Sequence, residues 1–233
     1  MPAPAPYDGA PVVLALPVEG SWRVENSPAR RVPSHGVDLF GQRYAIDLVA
    51  VDDAARTAPG RGWRAVLATE PPELFYAYGR DLLAPVDGVV VSAHEGEPDH
   101  AARRSQPALL HYALGQTSRV RRGPLAVAGN HLILRDDASG AFVALAHLRW
   151  GSLTVEPGDR VERGSRVAEC GNSGNSTQPH LHLQAMDSGD FGSMRGVPFV
   201  FEEFASRERG GASRSLRREV PGEGVIVGPV VAG

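Results

Sequence analysis

The sequence predicts an all-β fold: antiparallel sheets forming a barrel-sandwich core with loop insertions and little helix. Two observations carry this. The 233 residues include 27 Gly and 19 Pro, so turn-forming residues interrupt the chain about every ten positions. Between them lie short β-branched and aliphatic runs, with few long helical periodicities. These runs are residues 12–16, 44–51, 88–92, 131–134, 142–148, 166–170 and 181–186, each expected as a strand. The first belongs to an N-terminal arm, residues 1–33, with an edge strand. Residues 34–205 form the main β domain. Residues 52–79 and 94–123, rich in Ala, Arg, Pro and Glu, are insertions, and a short helix is expected over 101–112. Residues 206–233 begin with an Arg/Ser/Gly-rich stretch expected to be a flexible tail, with 225–231 either loose or returning as an edge strand.

Composition narrows the function. A net charge of -3 argues neither for a nucleic-acid groove nor for a polybasic membrane surface. No run approaches the ~18 apolar residues of a membrane span. The N-terminus lacks a basic start followed by an apolar stretch, so the chain as written is expected in the cytoplasm, and at the cell wall if a leader precedes it. Cys170 is the only cysteine, which rules out an intramolecular disulfide and a thiolate zinc site. Every basic residue is Arg and none is Lys.

The most informative residues are His180 and His182, reached through the Gly/Ser/Asn-rich segment 171–178. On an extended segment, residues two apart share a face. Two imidazoles on one face suit a metal-bound water with a proton acceptor beside it, although a bare His-x-His also decorates solvent-facing strand edges. Asp47 lies within the apolar run 44–51, where a carboxylate is costly unless paired or metal-bound. Either Arg43 or backbone donors satisfy it, or it binds metal. A zinc site with one open position commonly takes two His and one carboxylate. For the third ligand, His35 stands twelve residues before Asp47. A joint site of His35 with Asp38 is disfavoured because residues three apart on a strand face opposite ways, so His35 is paired with Asp47 across the turn at 39–41. His147 closes the run 142–148, where alternation puts it on the face of Val143 and Leu145. His131 is assigned a core or cross-strand role, and His94, His100 and His111 are expected to do no chemistry. Cys170 is expected to be buried.

The words Tyr44 to Asp47, Leu83 to Val90, Gly129-Asn130, Ala146-His147-Leu148, Val155 to Gly164 and Gly171 to His182 together resemble the lysostaphin/LytM-type zinc metallopeptidases, which cut peptide cross-bridges of bacterial cell walls. The resemblance covers roughly residues 34–187 and implies a LytM-like core. In that family an Asp, a His four residues upstream and the second His of His-x-His hold zinc. Carried over, Asp47 and His182 become Zn2+ ligands, His180 the general base, and His147 the group that steadies the developing oxyanion. The chain departs from the pattern at position 43, where Arg43 replaces the upstream His, and His35 is the candidate substitute.

The resemblance implies a zinc-dependent metalloendopeptidase acting on peptide or peptidoglycan cross-bridges through a zinc-bound water. The alternative is a catalytically degenerate module on the same fold, binding peptidoglycan or a regulatory partner, which Arg43 favours. A lipoyl or biotinyl carrier, suggested by the turn pattern of residues 157–164, lacks the Lys it would need. No nucleic-acid partner and no membrane span are expected, and the sequence sets no oligomeric state.

Overall fold

The computed structural model describes residues 9–60, 62, 65, 67–103, 123–190 and 193–230. Strands dominate these residues, and the α-helix α1 (Pro124–Ala128) spans a single turn. The all-β expectation holds. No described helix is long and apolar enough to cross a membrane. His111, and most of the expected helix at 101–112, fall outside the described residues.

Two neighbouring strands, β3 (Ile46–Ala50) and β10 (Leu181–Met186), are buried along their whole length. Such strands need apolar cover on both faces or a purpose for the second face. Ile46, Leu48 and Ala50, with Leu181, Leu183 and Ala185, enter the main core beside Trp22, Phe199, Phe201 and Phe204. Their alternate residues, Asp47, His182 and Gln184, line a cavity instead. Next to β10 runs β7 (Phe142–Ala146), followed by β6 (His131–Asp136), β5 (Gly88–His94) and β8 (Arg160–Val161). On the other side of β3 come β2 (Trp22–Val24), β14 (Ile226–Gly228), β12 (Phe199–Arg207) and β1 (Val12–Leu14). All these pairings are antiparallel except β1 on β12. A short hairpin partner, β11 (Gly196–Val197), extends β10. A separate two-stranded sheet joins β4 (Asp81–Leu83) to β9 (Arg166–Glu169).

The segment expected to be a flexible tail supplies two strands. β13 (Arg214–Glu219) pairs with β12, and β14 is laced between β12 and β2. Ile226 and Val227 are buried there, and their apolar surface outweighs the Arg/Ser/Gly composition that precedes them. Val227→Ala is expected to cost about 1.5–3 kcal/mol, the value of burying a valine, read as a lower urea midpoint at unchanged slope; a mobile tail would leave the midpoint in place.

The two insertions meet. Ala58 and Phe75 from the first pack with Ala102 from the second in a small cluster of their own, and Glu70 and Ala102 exchange backbone hydrogen bonds. Cys170 is fully buried, and burial pushes its thiol pKa up, so it is a packing residue as expected.

Candidate metal centre

Strand register builds the site. Asp47 on β3 lies opposite His182 on β10, His182 opposite Ala146 on β7, and Ala146 opposite His131 on β6. One residue pair further along, Gln184 lies opposite Ala144. This row floors a cavity of about 420 Å³. The alanines matter because larger side chains at 144 and 146 would fill the space between the imidazoles.

His35 arrives from outside the sheet. The chain reverses through Phe40 (φ 53°) and Gly41 (φ 73°), bringing His35 Nε2 to 3.0 Å from Asp47 Oδ2. His182 Nδ1 lies 2.9 Å from Asp47 Oδ1. Asp38 is drawn elsewhere, to Arg43 at 2.6 Å, so Arg43 serves Asp38 and Asp47 is left to the histidines. Asn26, in the segment after β2, donates from Nδ2 to Asp47 Oδ2 at 2.8 Å and helps orient the carboxylate.

The hydrogen bonds around this cluster fix its tautomers. The Gln184 amide donates from Nε2 to the Phe40 carbonyl at 2.9 Å, so its Oε1, 2.9 Å from His182 Nε2, must accept. His182 therefore carries a proton on Nε2. Ser34 Oγ donates to the Gln42 carbonyl at 3.3 Å and lies 3.0 Å from His35 Nδ1, which gives His35 its proton on Nδ1. In their neutral forms both rings then aim a lone pair at one carboxylate. Either a proton on one of the imidazoles or a cation satisfies this convergence, and His35, Asp47 and His182 could hold a metal ion: their ligand atoms all lie within 4.8 Å of one another.

Charge reflects the same crowding. Burial pushes the Asp47 carboxyl up, but the fields of His35 and His180, with hydrogen bonds from His182 and His35, outweigh it and hold Asp47 well below the usual carboxylate range. Burial lowers His182, and its bond to Asp47 more than reverses this, so it is raised. Burial first, then the neighbouring His180 and His182, push His147 well below the ordinary imidazole value, so it rests neutral.

His180 and His147 stand on the open side of the cluster, ring centroids 4.7 Å apart. His180 Nδ1 donates to the Gln178 carbonyl at 2.8 Å, and His147 Nδ1 to the Ser173 carbonyl at 3.0 Å. Each neutral ring therefore presents Nε2 as an acceptor. His180 Nε2 is 3.7 Å from Asp47 Oδ1, too far for a hydrogen bond. The alternation expected for 142–148 fails at its last residue. Val143 and Leu145 are core, but His147 takes φ 62° and lines the cavity instead. A left-handed backbone at a non-glycine residue costs about 1–3 kcal/mol and is found where function fixes a side chain.

The carbonyls that orient these rings belong to the loop 171–178, and the loop is held by residues the sequence left idle. Asp99 Oδ1 accepts from Asn172 N at 2.5 Å, and Asp99 Oδ2 from Trp150 N at 3.0 Å. His100, expected to do no chemistry, donates from Nε2 to the Gly174 carbonyl at 3.0 Å. Asn130 N donates to Ser173 Oγ at 3.0 Å. Gly174 (φ 67°) lies against Gly129 (φ 64°), where an added Cβ would meet Gly129 N at 2.5 Å. Gly174→Ala is expected to cost at least about 1–3 kcal/mol through its left-handed backbone. It should also misplace the Ser173 carbonyl, reducing turnover while the metal stays bound. Denaturation and metal content measured on one preparation check this. His131 is buried and stacks on His94, centroids 5.3 Å apart, matching its cross-strand assignment. Gln184 was detectable, being two residues past His182 on the same face; Asn26, Asp99 and His100 carried no sequence signal.

The family model for peptidase family M23 matches residues 73–191, half of the chain. The chain belongs to this family of peptidases. Among solved structures it is similar to the catalytic domain of the antimicrobial peptidase lysostaphin from Staphylococcus simulans (15% identity over 76% of this chain and 88% of that one, TM-score 0.39). It is also similar to the catalytic domain of a point mutant of the prophage-encoded M23 protein EnpA from Enterococcus faecalis (16% identity over 83% and 93%, TM-score 0.38). A zinc-containing peptidase from Vibrio cholerae matches at 15% identity over 66% of this chain and 48% of that one, with a TM-score of 0.32.

Proposed function

We propose that the protein is a zinc-dependent metalloendopeptidase that hydrolyses peptide bonds in bacterial cell-wall cross-bridges. The observation carrying this reading is the convergence of a ring nitrogen of His35 and one of His182 on the two oxygens of the Asp47 carboxylate, beside two further imidazoles with acceptor nitrogens. Nitrogen and carboxylate donors in a set of three suit zinc with an open position, and oxygen-seeking Ca²⁺ or Mg²⁺ much less. Zinc there would supply Lewis-acid chemistry, lowering the pKa of water to roughly 7 and polarising a peptide carbonyl.

The chain's own groups do the rest. His180 Nε2 takes the proton of the attacking water, and the Gln178 carbonyl on Nδ1 stabilises the imidazolium that results. His147 Nε2 steadies the oxyanion once it acquires a proton, which the adjacent His180 ring can share. Gln184 and Ser34 keep the two ligand imidazoles in metal-binding tautomers. We assign the catalytic unit to residues 34–205.

The test is incubation of zinc-loaded protein with purified peptidoglycan and with pentaglycine, following release of amino groups. Cleavage that a chelator stops and zinc restores is the expected result. Protein that binds no zinc at neutral pH overturns the reading. Zinc binding without cleavage of any peptide would instead favour the binding-module alternative.

A further inference from the structure

Beside the metal cavity lies a second one, of about 670 Å³, formed where the two insertions meet the His-x-His loop and the C-terminal strands. Four arginines line it: Arg23, Arg56, Arg103 and Arg209. No carboxylate does so among the described residues. Thr177 lines both cavities, and Gln178, whose carbonyl orients His180, forms the wall of the second. The two cavities are therefore neighbours, with Thr177 in the wall of each.

We propose that this cavity is a subsite for a carboxylate of the substrate peptide, one or more residues from the bond that is cut. This rests on the peptidase reading of the neighbouring cleft. The guanidinium is a planar fork matched to a carboxylate, and a charge-assisted pair is about twice as strong as a neutral hydrogen bond. The arginines are held in place for such a role. Arg23 donates to the Ala55 carbonyl at 3.1 Å and to Glu25 at 2.5 Å. Arg56 is held by Asp52 at 2.7 Å. Arg103 bonds its backbone N–H to the Thr177 carbonyl at 2.6 Å, tying the insertion to the loop that carries the base. Arg209 is exposed and forms no ion pair among the described residues. The four come from four separate stretches of chain, so their convergence is a product of the fold rather than of one basic run.

The experiment compares acetylated, amidated pentaglycine peptides carrying one Glu, at each position in turn, with their Gln counterparts. Binding is measured calorimetrically on the zinc-loaded full chain silenced by His180→Ala. Turnover of the same peptides is measured on the unaltered protein. At one position the Glu peptide should bind about tenfold tighter than its Gln partner. That preference should collapse toward unity in Arg209→Gln, in Arg56→Gln and at 0.5 M NaCl. Equal binding of Glu and Gln peptides at every position, or a preference that both arginine variants retain, overturns the proposal. So does inorganic phosphate binding as tightly as the preferred peptide, which would make the cavity a general oxyanion site. Failure of the peptidase reading looks different: no peptide, acidic or neutral, is turned over.

Discussion

His35→Ala should strip the protein of its metal at neutral pH, whereas Arg43→Ala should leave metal content unchanged. The first substitution removes one of three donors around the site. Loss even of an outer partner of a metal ligand costs about 10- to 100-fold in affinity, so loss of the ligand itself should exceed ~100-fold. The Asp47 Oδ2 atom would keep only the Asn26 amide, a donor that holds the carboxylate but cannot bind a cation. Arg43 occupies the position where the family pattern places a histidine, yet its guanidinium is bonded to Asp38, away from the cluster. Metal content after dialysis is the direct measurement. Thermal unfolding gives an independent one: added zinc should raise the midpoint of the unaltered protein and of Arg43→Ala by mass action, but not that of His35→Ala. A metal-replete His35→Ala protein would mean that the donor set is drawn wrongly.

The strand segments around the site are readable because they are short apolar runs set between turn residues. Residues 44–51, 131–134, 142–148 and 181–186 all contain strands of the sheet, and their apolar positions set which face holds the polar ones. Where alternation slips, the reading failed. β12 buries Phe199 and Phe201, then turns both Glu202 and Glu203 away from the core before burying Phe204 and Ser206. A nine-residue strand with that change of phase gives no period-2 signal. His147 is a second case, since its positive φ is imposed by tertiary bonds, to the Ala128 carbonyl on one side and from Gly171 on the other. The pairing of His35 with Asp47 was inferable only as a loop closure. What makes it chemically informative, the Ser34 and Gln184 hydrogen bonds that set the tautomers, depends on carbonyls of Gln42 and Phe40. No spacing rule encodes such carbonyl directions. The insertions were visible as breaks in pattern, but their service to the catalytic loop through Asp99 and His100 is a matter of three-dimensional contact.

His180→Ala should lower kcat by about 10²- to 10⁴-fold, the usual contribution of a positioned acid–base group, while the metal stays bound in full. At 1.36 kcal/mol per decade this is about 3–5 kcal/mol of lost transition-state stabilisation. The separation of effects follows from the geometry. His180 is next but one to His182 in sequence, yet its Nε2 stands 3.7 Å from Asp47 and its Nδ1 is committed to the Gln178 carbonyl. Removing the ring takes away a proton acceptor without removing a donor from the set of His35, Asp47 and His182. His182→Ala, one turn of alternation further along β10, should instead lose metal and turnover together. KM should change little in His180→Ala if the imidazole acts only on the proton in flight. Wild-type turnover in His180→Ala would assign the base elsewhere, with His147 the first alternative: its neutral Nε2 faces the same cavity. Loss of metal in His180→Ala would make the ring a ligand, and the two histidines of the motif would then share one task.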